Sequence, residues 1–269
     1  MRHKWLIGAL SLVALAVVAM AGARFARTSL GVCALSTTDH FGNMTSRQQA
    51  PATRKLRVLF VGNSLTFVND LPGMLVSVAS SDPHNPVQLE VGSTTVPDAS
   101  LQHLYEDGCG LKRIRAETPS VVVLQEHSFF WADPQSSSAA REALANWATA
   151  VRQAGGAPEY FEPWVNGPGD DPGLTNAGDL GPATQATAGL YGVPVVRVGE
   201  AFAQAVNTPG APGLYAPDNH HASPAGTYLA ALVFFHHFTG EPAERATWRP
   251  DGVTPEAAAL LARVADNYS

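Results

Sequence analysis

Five short runs, continuously apolar or nearly so, punctuate the chain at residues 56–61, 87–91, 121–124, 159–161 and 193–198, with longer helical or amphipathic stretches between them. A strand that is apolar at consecutive rather than alternate positions has both faces covered. That occurs chiefly in parallel sheets with helices packed on either side. The runs therefore predict an α/β fold in three layers, with a short parallel sheet between two layers of helices. Asp70 ahead of Leu71-Pro72 has the form of a helix N-cap with an early proline, and predicts a helix over 70–80. Residues 138–154 carry Leu144, Trp147 and Val151 at helical spacing and stop at Gly155-Gly156. Ser223-Pro224 opens a further helix towards Gly240, and residues 255–265 form the last.

The N-terminal region has a different character. Arg2, His3 and Lys4 precede residues 5–23, which carry no charge and end in the small-x-small triplet Ala21-Gly22-Ala23. Residues 1–23 are therefore expected as an export signal. They are either a cleaved signal peptide or an uncleaved anchor, since a run of this length also spans a bilayer. The expected location is secreted or periplasmic, or else at a membrane through a tether at residues 5–23. Leu30-Gly31-Val32-Cys33 is a poor lipidation site, because Arg24 and Arg27 separate it from the apolar run and Val32 is large. Residues 24–55 are rich in Ser, Thr, Ala, Arg and Gln without a sustained apolar period, as a flexible linker would be. The remainder, 56–269, suffices for one domain with a sizeable core.

Charge narrows the range of partners. The 17 basic and 23 acidic residues give a net charge of −6, and no Lys/Arg cluster follows the linker. Nucleic acid is not an expected partner, since neutralising phosphates needs a basic face. Cys33 and Cys109 are the two cysteines. After export they can pair and tie the linker to the domain, and two unrelated thiols fit the sequence equally. No Cys/His spacing suggests structural zinc.

The chemistry centres on two segments. The first strand runs into Gly62-Asn63-Ser64, which would expose the Ser64 hydroxyl at the strand's carboxyl edge and aim nearby backbone N–H groups at a developing oxyanion. Gly62 is expected to permit the sharp turn. A serine hydroxyl needs a base, and the base needs an orienting group. Asp218-Asn-His-His221 supplies both, with His221 as the base and Asp218 holding its ring. His220 is expected in a structural or substrate-edge role. Neither segment is decisive alone, because Gly-Asn-Ser is ordinary turn composition and Asp-x-x-His an ordinary turn before a helix. Two long Gly/Pro-rich loops, 165–181 and 207–219, gather where open α/β sheets bind ligands.

Taken together, the segments resemble the SGNH (GDSL-type) hydrolases. Gly62-Asn63-Ser64-Leu65 is similar to that family's nucleophile block, and Asp218 to His221 to its closing Asp-x-x-His block. The resemblance covers residues 56–240 and implies a flavodoxin-like three-layer sandwich with a Ser64–His221–Asp218 triad. It also implies an oxyanion hole built from the N–H groups of Ser64 and Gly92. The family's third block, Gly-x-Asn-Asp, is missing, and Leu124-Gln125 stands in its place. Gln125 carries the same carboxamide and is the expected third donor. The implied activity is hydrolysis of small acyl esters, acetyl foremost, on a small molecule or a carbohydrate. It proceeds through an acyl-enzyme, without metal or cofactor. Phe130 and Trp164, after the third and fourth strands, are expected to line the substrate pocket, although core packing suits them as well.

Three other readings use the same residues. Acyl transfer begins with the same acyl-enzyme, and a binding module can keep the fold without turnover. A metal-dependent phosphoesterase would use Asp218, His220, His221, Glu126 and His127 as ligands, but leaves Ser64 without a task. Asp170, Asp171, Asn176 and Asp179 lack the spacing of an EF-hand.

Overall fold

The structure, a computed structural model, describes residues 46, 53–127, 134–167 and 177–268. Five parallel strands form one sheet in the order β2-β1-β3-β4-β5. They are β1 (Arg54–Gly62), β2 (Val87–Thr95), β3 (Val121–Gln125), β4 (Ala157–Phe161) and β5 (Val195–Val196). The helices that matter below are α1 (Ser64–Phe67), α2 (Leu71–Ser81), α3 (Leu101–Asp107), α4 (Cys109–Glu117) and α5 (Pro134–Gln153). They are followed by α6 (Ala177–Leu190), α7 (Val198–Val206), α8 (Pro224–Thr239) and α9 (Pro255–Ala265).

The continuous apolar runs are covered on both sides, as the sequence predicts. Val58 and Phe60 of β1 pack towards α2, α7, α8 and α9. Leu59 and Val61, pointing the other way, pack towards α3, α4 and α5. The result is the expected three-layer α/β/α sandwich. Helix α8 is buried along almost its whole length. Phe234 of α8 meets Phe60 edge-on at 5.0 Å and Phe161 at 5.2 Å between ring centroids, fixing the helix against β1 and β4. Such edge-to-face pairs add about 1 kcal/mol each beyond area burial. Because the loop before α8 carries Asp218 and His221, this packing also fixes their distance from the end of β1.

Several boundaries differ from expectation. β1 begins at Arg54, so the last two residues assigned to the linker belong to the sheet. Ser46, also assigned to the linker, is buried against the edge strand: its N–H donates to Leu89 O at 2.8 Å, and its Oγ accepts from Leu89 N at 2.8 Å. β2 runs on through Ser93-Thr94-Thr95, because β-branched threonines suit an extended ladder. The fifth run pairs only at Val195 and Val196, and its last residue opens α7. Residues 1–23, Cys33, Phe130, Asp170, Asp171 and Asn176 lie outside the described residues, as does the Asp179 side chain. Cys109 has no free thiol.

Candidate active site

β1, β3 and β4 all deliver their last residues to one edge of the sheet, and the first turn of α8 arrives there too. Asn63 follows β1 and caps α1, its Oδ1 accepting from Leu65 N at 3.1 Å. Gly62 before it is not left-handed, so it does not serve the turn as expected. A Cβ there would lie 2.4 Å from Gln125 Oε1, so glycine is required to make room for that carboxamide.

Ser64, His221 and Asp218 are brought together. Ser64 Oγ lies 2.9 Å from His221 Nε2, and His221 Nδ1 lies 2.7 Å from Asp218 Oδ2. The other carboxylate oxygen, Asp218 Oδ1, accepts from the backbone N–H groups of His220 and His221, both at 3.0 Å. The side-chain bond from His221 is the main reason that the Asp218 carboxyl is held down at about 2, with these two N–H groups adding to it. The loop is closed on itself: Tyr215 bridges Ala222, and Ala216 N donates to His221 O at 2.8 Å. It is also held from β4's side, where Gly167 N donates to Asn219 O at 2.7 Å and Trp164 Nε1 to His220 O at 2.9 Å. His220 is tied in turn, its Nδ1 2.8 Å from Asn166 Oδ1.

Two of the expected oxyanion donors are not placed for that task. Gly92 lies inside β2, opposite Leu59, three residues short of the strand's end. At about 3.3 Å per residue this sets it roughly 10 Å below the edge that carries Ser64. The β2 side of that edge is instead formed by the loop 96–100. This loop is tied to the nucleophile turn by Val96 N donating to Gly62 O and Asn63 Nδ2 to Ala99 O, at 3.2 and 3.1 Å. Gln125 is fully buried and engaged at both ends. Its Oε1 accepts from Asn63 N and from Thr66 Oγ1, both at 2.9 Å, which fixes the orientation of the amide. Both Nε2 hydrogens are then spent, on Asn63 Oδ1 and Glu126 O at 2.9 Å each. Gln125 therefore braces the turn that carries Ser64. Gln125→Leu is expected to cost about 3 kcal/mol or more of stability, because Asn63 N–H, Asn63 Oδ1 and Thr66 Oγ1 lose a buried partner. Urea unfolding checks it: a donor aimed at substrate would leave the midpoint unchanged.

Trp164 does not line a pocket either. It is buried, stacked on Phe202 with centroids 4.4 Å apart and planes at 10°, and its N–H goes to the His220 carbonyl. It therefore positions the histidine loop. The five residues of the metal reading do not converge. Asp218 and His221 bond each other, and Glu126 Oε2 and Oε1 accept from Leu101 N and His127 N at 3.0 and 2.9 Å. Sequence reasoning missed Glu126 as a brace. Burial raises its carboxyl to about 7, against the pull of these two N–H groups.

A second buried carboxyl, Glu162, follows β4. Burial first, then the charge of Glu200, hold it up at about 8, with Arg197 acting in the opposite sense. Its folded value lies above its ordinary 4.5, so the stability it contributes is full below pH 4.5 and is lost as pH rises through about 8. The pH-dependent part reaches about 5 kcal/mol. Glu162→Gln is expected to flatten this fall between pH 5 and pH 9, as measured by denaturant unfolding at both. An equally steep fall in the variant would contradict it.

No protein-family model and no curated protein sequence matches the chain. Solved structures do. A DUF4886 family protein from Bacteroides uniformis superposes with a TM-score of 0.66 at 16% identity, covering 79% of this chain and 94% of that one. A proposed SGNH hydrolase from Slackia heliotrinireducens gives 0.56 at 28% identity, over 70% of this chain and 100% of its own. Axe2, an acetylxylan esterase from Geobacillus stearothermophilus, gives 0.54 at 15% identity, over 73% and 98%. The chain therefore has the fold of the SGNH hydrolases, and at the carboxyl edge of its sheet a serine, a histidine and an aspartate stand hydrogen-bonded in series.

Proposed function

We propose that the chain is a serine esterase that cleaves small acyl esters, acetyl foremost, from a carbohydrate-containing substrate. One observation carries this reading: the hydrogen-bonded series from Ser64 Oγ through His221 to Asp218. Ser64 Oγ attacks the ester carbonyl while its proton passes to His221 Nε2. Asp218, ionised above about pH 2, stabilises the imidazolium that forms. The carbonyl oxygen becomes an oxyanion beside the first turn of α1, where the Ser64 N–H has no intrahelical acceptor. The intermediate collapses, the alcohol leaves with the proton from His221, and the acyl group stays on Ser64 Oγ. Water then attacks with His221 as base, releasing the acid and restoring the hydroxyl.

The choice of acetyl is supported by the acetylxylan esterase of the same fold, and the choice of a carbohydrate by that enzyme together with the export of the protein expected from the charge-free run at residues 5–23. The test is hydrolysis of p-nitrophenyl acetate and butyrate by the purified protein, alongside labelling with a fluorophosphonate. The expected result is turnover that favours acetate and a covalent adduct mapped by mass spectrometry to Ser64. Turnover that a chelator stops, with Ser64 unlabelled, would overturn the reading.

A further inference from the structure

The proposed reaction leaves one recess beside the triad unused. The turn between α1 and α2 and the segment 248–251 flank an open groove of about 560 Å3, with Asn69, Asp70, Met74, Trp248, Arg249 and Asp251 among its walls. This volume suits a sugar-sized ligand.

The groove shares a wall with the triad. Asn69 Nδ2 donates to Ala222 O at 2.9 Å and to Thr227 Oγ1 at 3.0 Å, and Ala222 is the residue after His221. On its other side Asn69 lies one residue past the end of the turn that begins with Ser64 and closes at Val68. A molecule held in the groove thus touches Asn69, which joins the turn that follows Ser64 to the residue that follows His221. Asn69 and Asp70 are also consecutive left-handed residues, φ 57° and 56°, and neither is glycine. Such a pair costs on the order of 1–3 kcal/mol per residue and persists only where its surroundings hold it. Here the Asn69 bonds and the Asp70 cap on Gly73 N do so.

The lining selects the ligand class. An acyl chain needs continuous apolar walls, and Asp70, Arg249 and Asp251 interrupt them. A phosphate needs an excess of cations, whereas this groove has two carboxylates to one guanidinium. A neutral polyhydroxylated ring needs a flat aromatic surface with planar acceptors and donors around it, and these are present. Trp248 is held by its neighbours: Tyr228 donates to Trp248 O at 3.0 Å, and the two rings meet edge-on at 6.1 Å. Arg249 is steadied by its Nε donating to Val253 O at 2.9 Å.

We infer that this groove is a carbohydrate subsite, binding a neutral sugar ring of the substrate beyond the ester that Ser64 attacks. The inference rests on the esterase reading for its place in the reaction, though not for binding itself. The test is calorimetric titration of the full chain with xylohexaose, cellohexaose and chitohexaose, none of which carries an O-acetyl ester. Saturable binding of at least one is expected, weakened at least tenfold in Trp248→Ala and in Asp251→Asn. Trp248 packs on Tyr228, so its variant can fail to fold. Asp251 is exposed, and its variant keeps the test decisive. No binding of any of the three, or equal binding in a folded Asp251→Asn protein, overturns the inference. Turnover of p-nitrophenyl acetate without sugar binding sinks the groove alone. Groove-dependent sugar binding without any ester turnover sinks the esterase reading and supports the groove.

Discussion

Ser64→Ala is expected to lower kcat on p-nitrophenyl acetate by about four to six orders of magnitude while leaving KM within a few-fold. The size follows from what is lost. Without Oγ there is no acyl-enzyme, and His221 can only help water attack directly, so the nucleophilic route disappears. Ester binding does not require the hydroxyl, so ground-state affinity persists. The fold should survive. Ser64 contributes an N–H and a carbonyl to α1, and alanine retains both, while the cap on Leu65 N comes from Asn63. Its hydroxyl bonds a partly exposed imidazole that water can satisfy instead. The measurement is a pair of experiments on one preparation: steady-state kinetics and thermal unfolding. Activity within tenfold of the parent in a folded variant would remove Ser64 from the mechanism.

The triad was legible because each half of it is a local pattern. A nucleophile at the end of an apolar strand and an acid three residues before a histidine need only short-range geometry, and the structure brings them to 2.9 and 2.7 Å. The places of the other two expected donors, Gly92 and Gln125, were not legible, because they depend on where other strands end and on what packs beside them. Gly92 was placed at a strand end, but Ser93, Thr94 and Thr95 continue the ladder and leave it inside the sheet. Gln125 carries the right functional group at the right strand end, but the space left by Gly62 draws its carboxamide inward to Asn63 and Thr66. That contact joins residues 59 and 62 positions apart and has no periodicity to betray it.

The same limit applies to the helices. α7 carries Val198, Ala201, Phe202 and Ala205 inward at helical spacing, but the valines before it made a strand the natural reading to Val198. α3 and α4 meet at Gly108, left-handed at φ 74°, which ends one helix and starts the next, so neither is long enough to show a clear period. Trp164 followed a strand, as pocket residues do. Its ring instead fills the space over Phe202, and its N–H is spent on the histidine loop. A side chain near a site can hold the site without facing it, and sequence position alone does not separate the two.

Asp218→Asn should reduce kcat by about three orders of magnitude, and the reason lies in the backbone. In the native loop Asp218 Oδ1 accepts from two N–H groups, those of His220 and His221. An asparagine keeps these bonds only by pointing its own oxygen at them, which turns its NH2 group towards His221 Nδ1. Nδ1 must then accept, so the imidazole carries its proton on Nε2, the atom that has to take the proton from Ser64. The variant is thus held in the wrong tautomer by the interactions that order its loop. For a fully buried triad the loss is about four orders of magnitude. Asp218 is half exposed, so solvent already screens part of its charge, and the smaller figure is expected. Asp218→Ala imposes no tautomer but frees both N–H groups, so it should retain more activity than Asp218→Asn at the cost of a looser loop. Acid stability separates the effects further. The native carboxyl is held at about 2, below its ordinary 3.8, so its contribution is present above pH 3.8 and lost as pH falls through about 2. Both variants should lack that acid-side loss. Kinetics at neutral pH and unfolding between pH 2 and pH 5 measure the two together. Asp218→Asn more active than Asp218→Ala would overturn the tautomer argument, because both variants lack the charge and only the order of the loop would then separate them.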